Sequence, residues 1–290
     1  MKKIIPFLLL AIPVAVIAQP KTVTQATITT KTTIVAPEDD DNAPVSSTSA
    51  DGQEVRVMRF GGDGETKTTT WLKNDLTKTL SESEMGKTTI IRDNTKKITT
   101  TIMEMMGRKT GFYATDEDQE NMRKRMDSMM QARSSQGQQA QVVFGGGGSG
   151  GPANYNVEYK DESKKISGYD CKKALIIATR SNGRKDTTAV WYAPDLKIQG
   201  LSSTGGMGGG FGGFNIAQSS SGFELLNGFP MQYERNMPRG RKMTVQVTKL
   251  ITDKEIADKE FEISKDIDVK PIKDMQNGGM PGTIQIRAGH

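Results

Sequence analysis

The stretch Lys165–Tyr192 constrains the fold more than any other. It reads Lys-Ile-Ser-Gly-Tyr-Asp-Cys-Lys-Lys-Ala-Leu-Ile-Ile-Ala-Thr, then a polar Arg-Ser-Asn-Gly-Arg-Lys-Asp segment, then Thr-Thr-Ala-Val-Trp-Tyr. Two apolar, β-branched runs split by a segment containing Asn182-Gly183 predict a hairpin. A period of two puts Tyr169, Cys171, Leu175 and Ile177 on one face and Asp170, Lys172, Ala174, Ile176 and Ala178 on the other. Past Ala174 both faces are apolar, so this strand is expected to start half-solvated and end covered on both sides, as a central strand does. Cys171 is the sole cysteine, so no internal disulfide holds the fold. Its shared face with Tyr169 and Leu175 predicts a buried, inert thiol.

Strand and turn signals recur at short, regular spacing elsewhere. Val23–Val35 is a threonine-rich strand in which Ala26, Ile28 and Ile34 share a face and threonine is expected to form the exposed one. Pro37–Gly52 reads as a solvated loop; its acidic knot, Glu38-Asp39-Asp40-Asp41, lacks the spacing and closing glutamate of a calcium loop. Residues 54–114 then read as an antiparallel meander with strands at 54–60, 66–73, 78–83, 88–92, 97–103 and 110–113. Further strands are expected at 155–159, 223–226, 231–235 and 242–250. A last extended segment keeps Phe261, Ile263, Ile267 and Val269 on one parity.

The period changes at Thr115. Thr115-Asp116-Glu117-Asp118 supplies an N-cap, a carboxylate three residues on, and acids at the positive end of a helix dipole. Met122, Met126, Met129 and Met130 follow at i, i+4, i+7 and i+8, a single apolar stripe on a helix expected to run to about Ala132. Core packing against the sheet is one reading of that stripe. The other is a lid over an apolar groove, because unbranched, polarizable methionines adapt to varied ligands. Met122, Met126, Met129 and Met130 are therefore the candidate ligand-binding residues.

Of the 290 residues, the first 18 combine a basic start, an apolar run from Ile4 to Ile17 and a Val16-x-Ala18 cleavage pattern, which predicts a secretory signal and a mature start at Gln19. The run is too short and too interrupted, by Pro6 and Pro13, for a membrane span. Losing Lys2 and Lys3 with the signal lowers the formal charge of +5 to +3. So small a positive balance, with both signs interspersed, does not suit nucleic-acid binding. Residues 19–272 are expected to form one β-rich domain. It carries the helix at 115–135 and flexible glycine-rich insertions at 136–152 and 200–215 that lack the strand-to-helix context of a phosphate cradle. A disordered tail at 273–290 is expected to follow.

Sequence also narrows the chemistry. His290, the single histidine, is the last residue, which removes the usual component of triads, zinc sites and imidazole acid/base catalysis. Acid pairs such as Asp161-Glu162 and Asp116-Asp118 read as turn and cap residues, so a non-enzyme without metal or cofactor is expected.

Four segments then stand in a recognisable order: Ile-Ser-Gly-Tyr-Asp-Cys-Lys-Lys-Ala at 166–174, Val-Trp-Tyr-Ala-Pro-Asp-Leu at 190–196, Leu-Leu-Asn-Gly-Phe-Pro-Met-Gln-Tyr-Glu at 225–234 and Phe-Glu-Ile at 261–263. This order resembles an exported domain family of Gram-negative bacteria, close to the group named for its Gly-Leu-Pro-Gly-Leu-Ile motif and known as a domain of unknown function. Relatives often continue Phe-x-Ile with Pro-x-Gly-Tyr, where this chain has Ser264-Lys265-Asp266. The resemblance implies a fold like that of the lipoprotein-localisation factors: mainly β, an antiparallel incomplete barrel (half-barrel) with one amphipathic helix on or in its concave face. It implies a periplasmic or secreted address and carries over no catalytic residue. Two functions fit: a carrier for an apolar or lipid-like ligand, or an assembly component of the cell envelope that works through protein partners.

Overall fold

Short turns carve the chain into strands. At Ser167-Gly168 φ is 50° and 88°, left-handed at both positions as a type I′ turn requires, and Ile166 faces Tyr169 across it. Met106-Gly107 repeats the arrangement between Met105 and Arg108, which leaves the Met106 side chain 94 % exposed. Asn182-Gly183 closes a longer loop. There the Gly183 amide donates to the Arg180 carbonyl and the Arg184 amide to the Asn182 side chain.

The structure is a computed structural model and describes residues 21–35, 46–48, 54–56, 64–84, 86–135, 153–199, 222–237 and 240–275. Its strands are β1 (Lys21–Val23), β2 (Gln25–Val35), β3 (Ser46–Thr48), β4 (Glu54–Arg56), β5 (Gly64–Lys73), β6 (Leu76–Ser83), β7 (Gly86–Asp93), β8 (Ile98–Met105) and β9 (Arg108–Thr115). Helix α1 (Asp116–Ser135) follows, then β10 (Ala153–Ile166), β11 (Tyr169–Arg180), β12 (Lys185–Ala193), β13 (Leu196–Ile198), β14 (Phe229–Asn236), β15 (Lys242–Ile251), β16 (Val269–Pro271) and helix α2 (Ile272–Met275).

Twelve strands form one open sheet in the order β10-β11-β12-β14-β15-β2-β5-β6-β7-β8-β9-β16. Every pairing in it is antiparallel except β16 with β9. The expected mainly-β, antiparallel class with few helices is therefore the one observed, as a sheet not closed into a barrel. It does coil. Three strands separate β10 from β15, yet Ser167 at the tip of the β10–β11 hairpin donates from Oγ to the Val247 carbonyl of β15 at 2.7 Å. Between the two layers this makes, Ile166, Cys171, Phe229, Met231 and Val247 pack with Ala26 and Ile28 of β2. A second cluster joins Ala174, Ile176, Val190 and Tyr233 to Phe223 and Leu226. Cys171 and Ile176 lie on opposite faces of β11 and belong to different clusters, which is why both faces of this strand are apolar.

Several sequence expectations are corrected. Phe223–Leu225 is a 3-10 turn instead of a strand, with Phe223 buried. A second 3-10 turn, Asp258–Phe261, and an irregular segment replace most of the last extended run, and only Val269–Pro271 is strand. Lysines hold this crossing: Lys73 Nζ donates to the Ile256 carbonyl and Lys78 Nζ to the Glu260 carbonyl. Asp161-Glu162 is a bulge inside β10, where the register shifts between Lys160 and Ser163. The loop read at 37–52 contains β3, which pairs with β4. Beyond Pro271 the chain makes the turn of α2, with Ile272 buried. The signal segment, the acidic knot, both glycine-rich insertions and residues beyond 275 lie outside the described residues.

Candidate functional site

Register defines which side chains share a face, because residues opposite each other on neighbouring strands point the same way. One row runs Ala26–Leu72–Thr77–Arg92–Thr99–Ala114 from β2 to β9, and the next Ile28–Thr70–Thr79–Ile90–Thr101–Phe112. A third runs Thr30–Thr68–Ser81–Thr88–Met103. This face is a lattice of threonine and aliphatic residues. The β2 threonines of the other parity, Thr27, Thr29 and Thr33, are half-buried where an exposed face is expected; on this face Thr30, Thr32, Thr68 and Thr77 are each no more than 3 % exposed. They share parity with Ala26 and Ile28, so burying those two residues buries the threonines with them. The hydroxyls are partly paired across strands, Thr68 with Ser81 at 3.2 Å and Thr70 with Thr79 at 3.3 Å. Thr30 and Thr32 have no partner for Oγ1, and a buried hydroxyl without one costs about 1–3 kcal/mol.

Helix α1 starts at the edge of this face and is clamped to it. Its predicted cap forms as a reciprocal box: the Asp118 amide donates to Thr115 Oγ1 at 3.1 Å, and the Thr115 amide donates to Asp118 Oδ2 at 3.0 Å. Arg92, in the first row, forks onto Asp116, Nη1 to Oδ1 at 2.5 Å and Nη2 to Oδ2 at 3.0 Å. Gln119 Nε2 donates to Thr99 Oγ1 at 3.0 Å. These bonds hold the Asp116 and Asp118 carboxyls below the usual carboxylate range, through Arg92 for the first and the Thr115 amide and hydroxyl for the second. One turn on, Met122 is buried with Ala114 and Ile272, and Phe112 packs beside them. Met122 is thus a packing residue where the helix meets the sheet. The side chains of Met126, Met129 and Met130 lie outside the described residues.

The opposite face is differently built. A ladder of alternating charge, Lys67–Glu82–Lys87–Glu104–Lys109, crosses β5 to β9, and its neighbour Lys87 lowers the Glu82 pKa. Between Leu80, Ile91 and Ile102 on this face and Glu262, Ser264 and Ile267 of the crossing segment lies a groove of about 190 Å³.

The remaining shifted groups have structural causes. Cys171 is fully buried, its thiol donates to the Tyr169 carbonyl at 3.4 Å, and burial pushes its pKa up to about 11. Burial likewise pushes Tyr233 up to about 12. Arg180 holds Asp186 low. Among the described residues no three His, Cys, Asp or Glu side chains gather as a metal site would require, and no helix is long and apolar enough to cross a membrane. His290 lies outside them. Sequence reasoning found Met122 and the cap but missed Arg92, Thr30 and Thr32; the even parity these threonines share with Ala26 and Ile28 was the available signal.

No family model and no curated protein matches the chain. Among solved structures it is similar to PNGF-II in two crystal forms, at 16 % and 14 % identity with TM-scores of 0.33 and 0.34 over 87 % of this chain. It spans about a third of the length of that protein, 33 % and 32 % in the two forms. A domain from Vibrio parahaemolyticus, provisionally described as an outer membrane lipoprotein-sorting protein domain, is similar at 8 % identity and a TM-score of 0.26, over 82 % of this chain and 89 % of that one. Likenesses this distant transfer neither residues nor activity.

Proposed function

We propose that the chain is an exported, non-catalytic binding protein that holds an apolar or lipid-like ligand against the threonine–aliphatic face, with α1 as its cover. The observation that carries this reading is the clamp itself. An open sheet keeps a wide face of mixed methyl and hydroxyl groups, and the first turns of α1 are tied to it through Arg92–Asp116, Gln119–Thr99 and Met122. A helix tied along the rim of such a face is placed to cover it, and a surface of branched methyls offers area without demanding one ligand shape. Organic extraction of the purified protein followed by lipid mass spectrometry tests this. Co-purified acyl chains are expected; a protein that yields none and also fails to take up N-phenyl-1-naphthylamine is not a carrier.

One feature favours the second reading, an envelope assembly component. Strand β10 is 14 residues long, lies at the sheet edge and, among the described residues, pairs only with β11. Its first half, Ala153–Tyr159, carries a single charge, Glu158, and precedes the bulge, so its backbone is suited to accept an added strand. Loss of a co-purifying partner on changing Val157 to Pro, with the melting temperature kept, would select this reading.

A further inference from the structure

Thr30 and Thr32 stand two residues apart on β2 and point to the same face. They are 2 % and 3 % exposed, and neither Oγ1 has a hydrogen-bond partner. Thr30 lies between Val247 of β15 and Thr68 of β5, and Thr68 is in turn bonded to Ser81. Thr32 lies between Val245 and Thr66. Two unpaired hydroxyls thus adjoin a paired Thr68–Ser81 set, bordered on the β15 side by fully buried valines and along β2 by Ile28.

We infer that Thr30 and Thr32 form the polar end of the ligand site, where they take the uncharged hydrogen-bonding head of a single-chain amphiphile, an alcohol or ester, while its chain lies along the half-buried part of the face toward Ile90 and Phe112. This inference rests on the carrier reading and names its ligand class. The chemistry follows from the groups. Each hydroxyl both donates and accepts, which suits a head that does either. Neither hydroxyl carries charge, Arg92 on this face is committed to Asp116, and Arg108 and Arg235, which share the face, are exposed at its rim, so a full negative charge buried beside the threonines has no buried counter-ion and is disfavoured. A pure hydrocarbon would leave both hydroxyls unpaired.

Displacement of N-phenyl-1-naphthylamine by 1-octanol and by octane, in the full chain and in T30V/T32V, tests the assignment. The wild type is expected to prefer octanol. T30V/T32V should weaken octanol binding by roughly 5- to 30-fold, as the loss of one or two hydrogen bonds implies, while octane binding and the melting temperature are held or raised. T30S/T32S keeps both hydroxyls and should keep the preference. If the valine pair does not fold, each single valine variant should lose part of the preference. A wild type that binds the fluorescent probe and both competitors, with T30V/T32V changing octanol and octane equally, overturns the polar subsite and leaves the carrier reading standing. A wild type that binds no probe removes the carrier reading, and the subsite with it.

Discussion

Cys171 shows how burial governs a single side chain. With no exposed surface and its pKa pushed up to about 11, it holds almost no thiolate at neutral pH, and thiolate is the reactive form. A thiol reagent at pH 8 should therefore label the native protein negligibly and the urea-unfolded protein at once. Cys171→Ala should cost on the order of 1 kcal/mol, and Cys171→Asp several, in denaturant titrations. Asp116 sets the behaviour in acid. Its folded pKa is lowered by Arg92, so its contribution is present above the unfolded carboxylate range, about pH 4, and is lost as the pH falls through the lower folded value. Asp116→Asn should melt below the parent at pH 7 and draw closer to it as the pH falls below about 4; a constant difference down through the acid range would contradict the Arg92 clamp. The alternation that made Cys171 legible also grouped Thr30 with Ile28. Parity says which residues share a face and is silent on which face is covered, and threonine, with one methyl and one hydroxyl, suits either side.

Helix α1 was legible because its signals were local. The Thr115 cap and the Asp118 carboxylate are three residues apart, and both bonds of the box form. Thr115→Ala should lower stability by about 1 kcal/mol, and Met122→Ala by about 2 kcal/mol, the low end for a buried methionine because its cluster is small. Thermal melts of the two variants check both values. The elements that escaped sequence reasoning were short. Phe223–Leu226 is a run of four residues, three of them apolar, too brief for any period to separate a strand from a 3-10 turn. The stretch from Ile256 to Val269 took its shape from tertiary contact, through Lys73 and Lys78 at its start and the approach of Val269 to β9 at its end. At Gly111 a Cβ would come within 2.8 Å of the Val269 side chain. That glycine is the local trace of a crossing whose partner lies more than a hundred residues further along the chain.

At the scale of the molecule, the contacts divide by sequence distance. Strands β5 to β9 pair each with the next, whereas β2 pairs with β15 across the whole domain; Thr248 Oγ1 bonds the Thr29 carbonyl 219 residues away. Local pairs close small loops and distant ones large loops, so the meander should form before the β2–β15 seam. Ile91→Ala in the meander is accordingly expected to slow refolding, and Val247→Ala, costing about 2 kcal/mol, mainly to speed unfolding. Stopped-flow chevrons distinguish the two, and an equal effect of Val247→Ala on both limbs would reject this order. The meander was readable from its spacing. The place of β2 in the middle of the sheet was not, because no local signal reports a partner so remote. The same placement has a consequence during synthesis. The ribosome makes β2 before every other strand of the large sheet, yet one side of it stays unpaired until Ile251 has emerged. Throughout that interval the nascent chain carries an open strand edge at what will become the interior of its sheet, the part of the molecule most exposed to mispairing and most in need of a chaperone's cover.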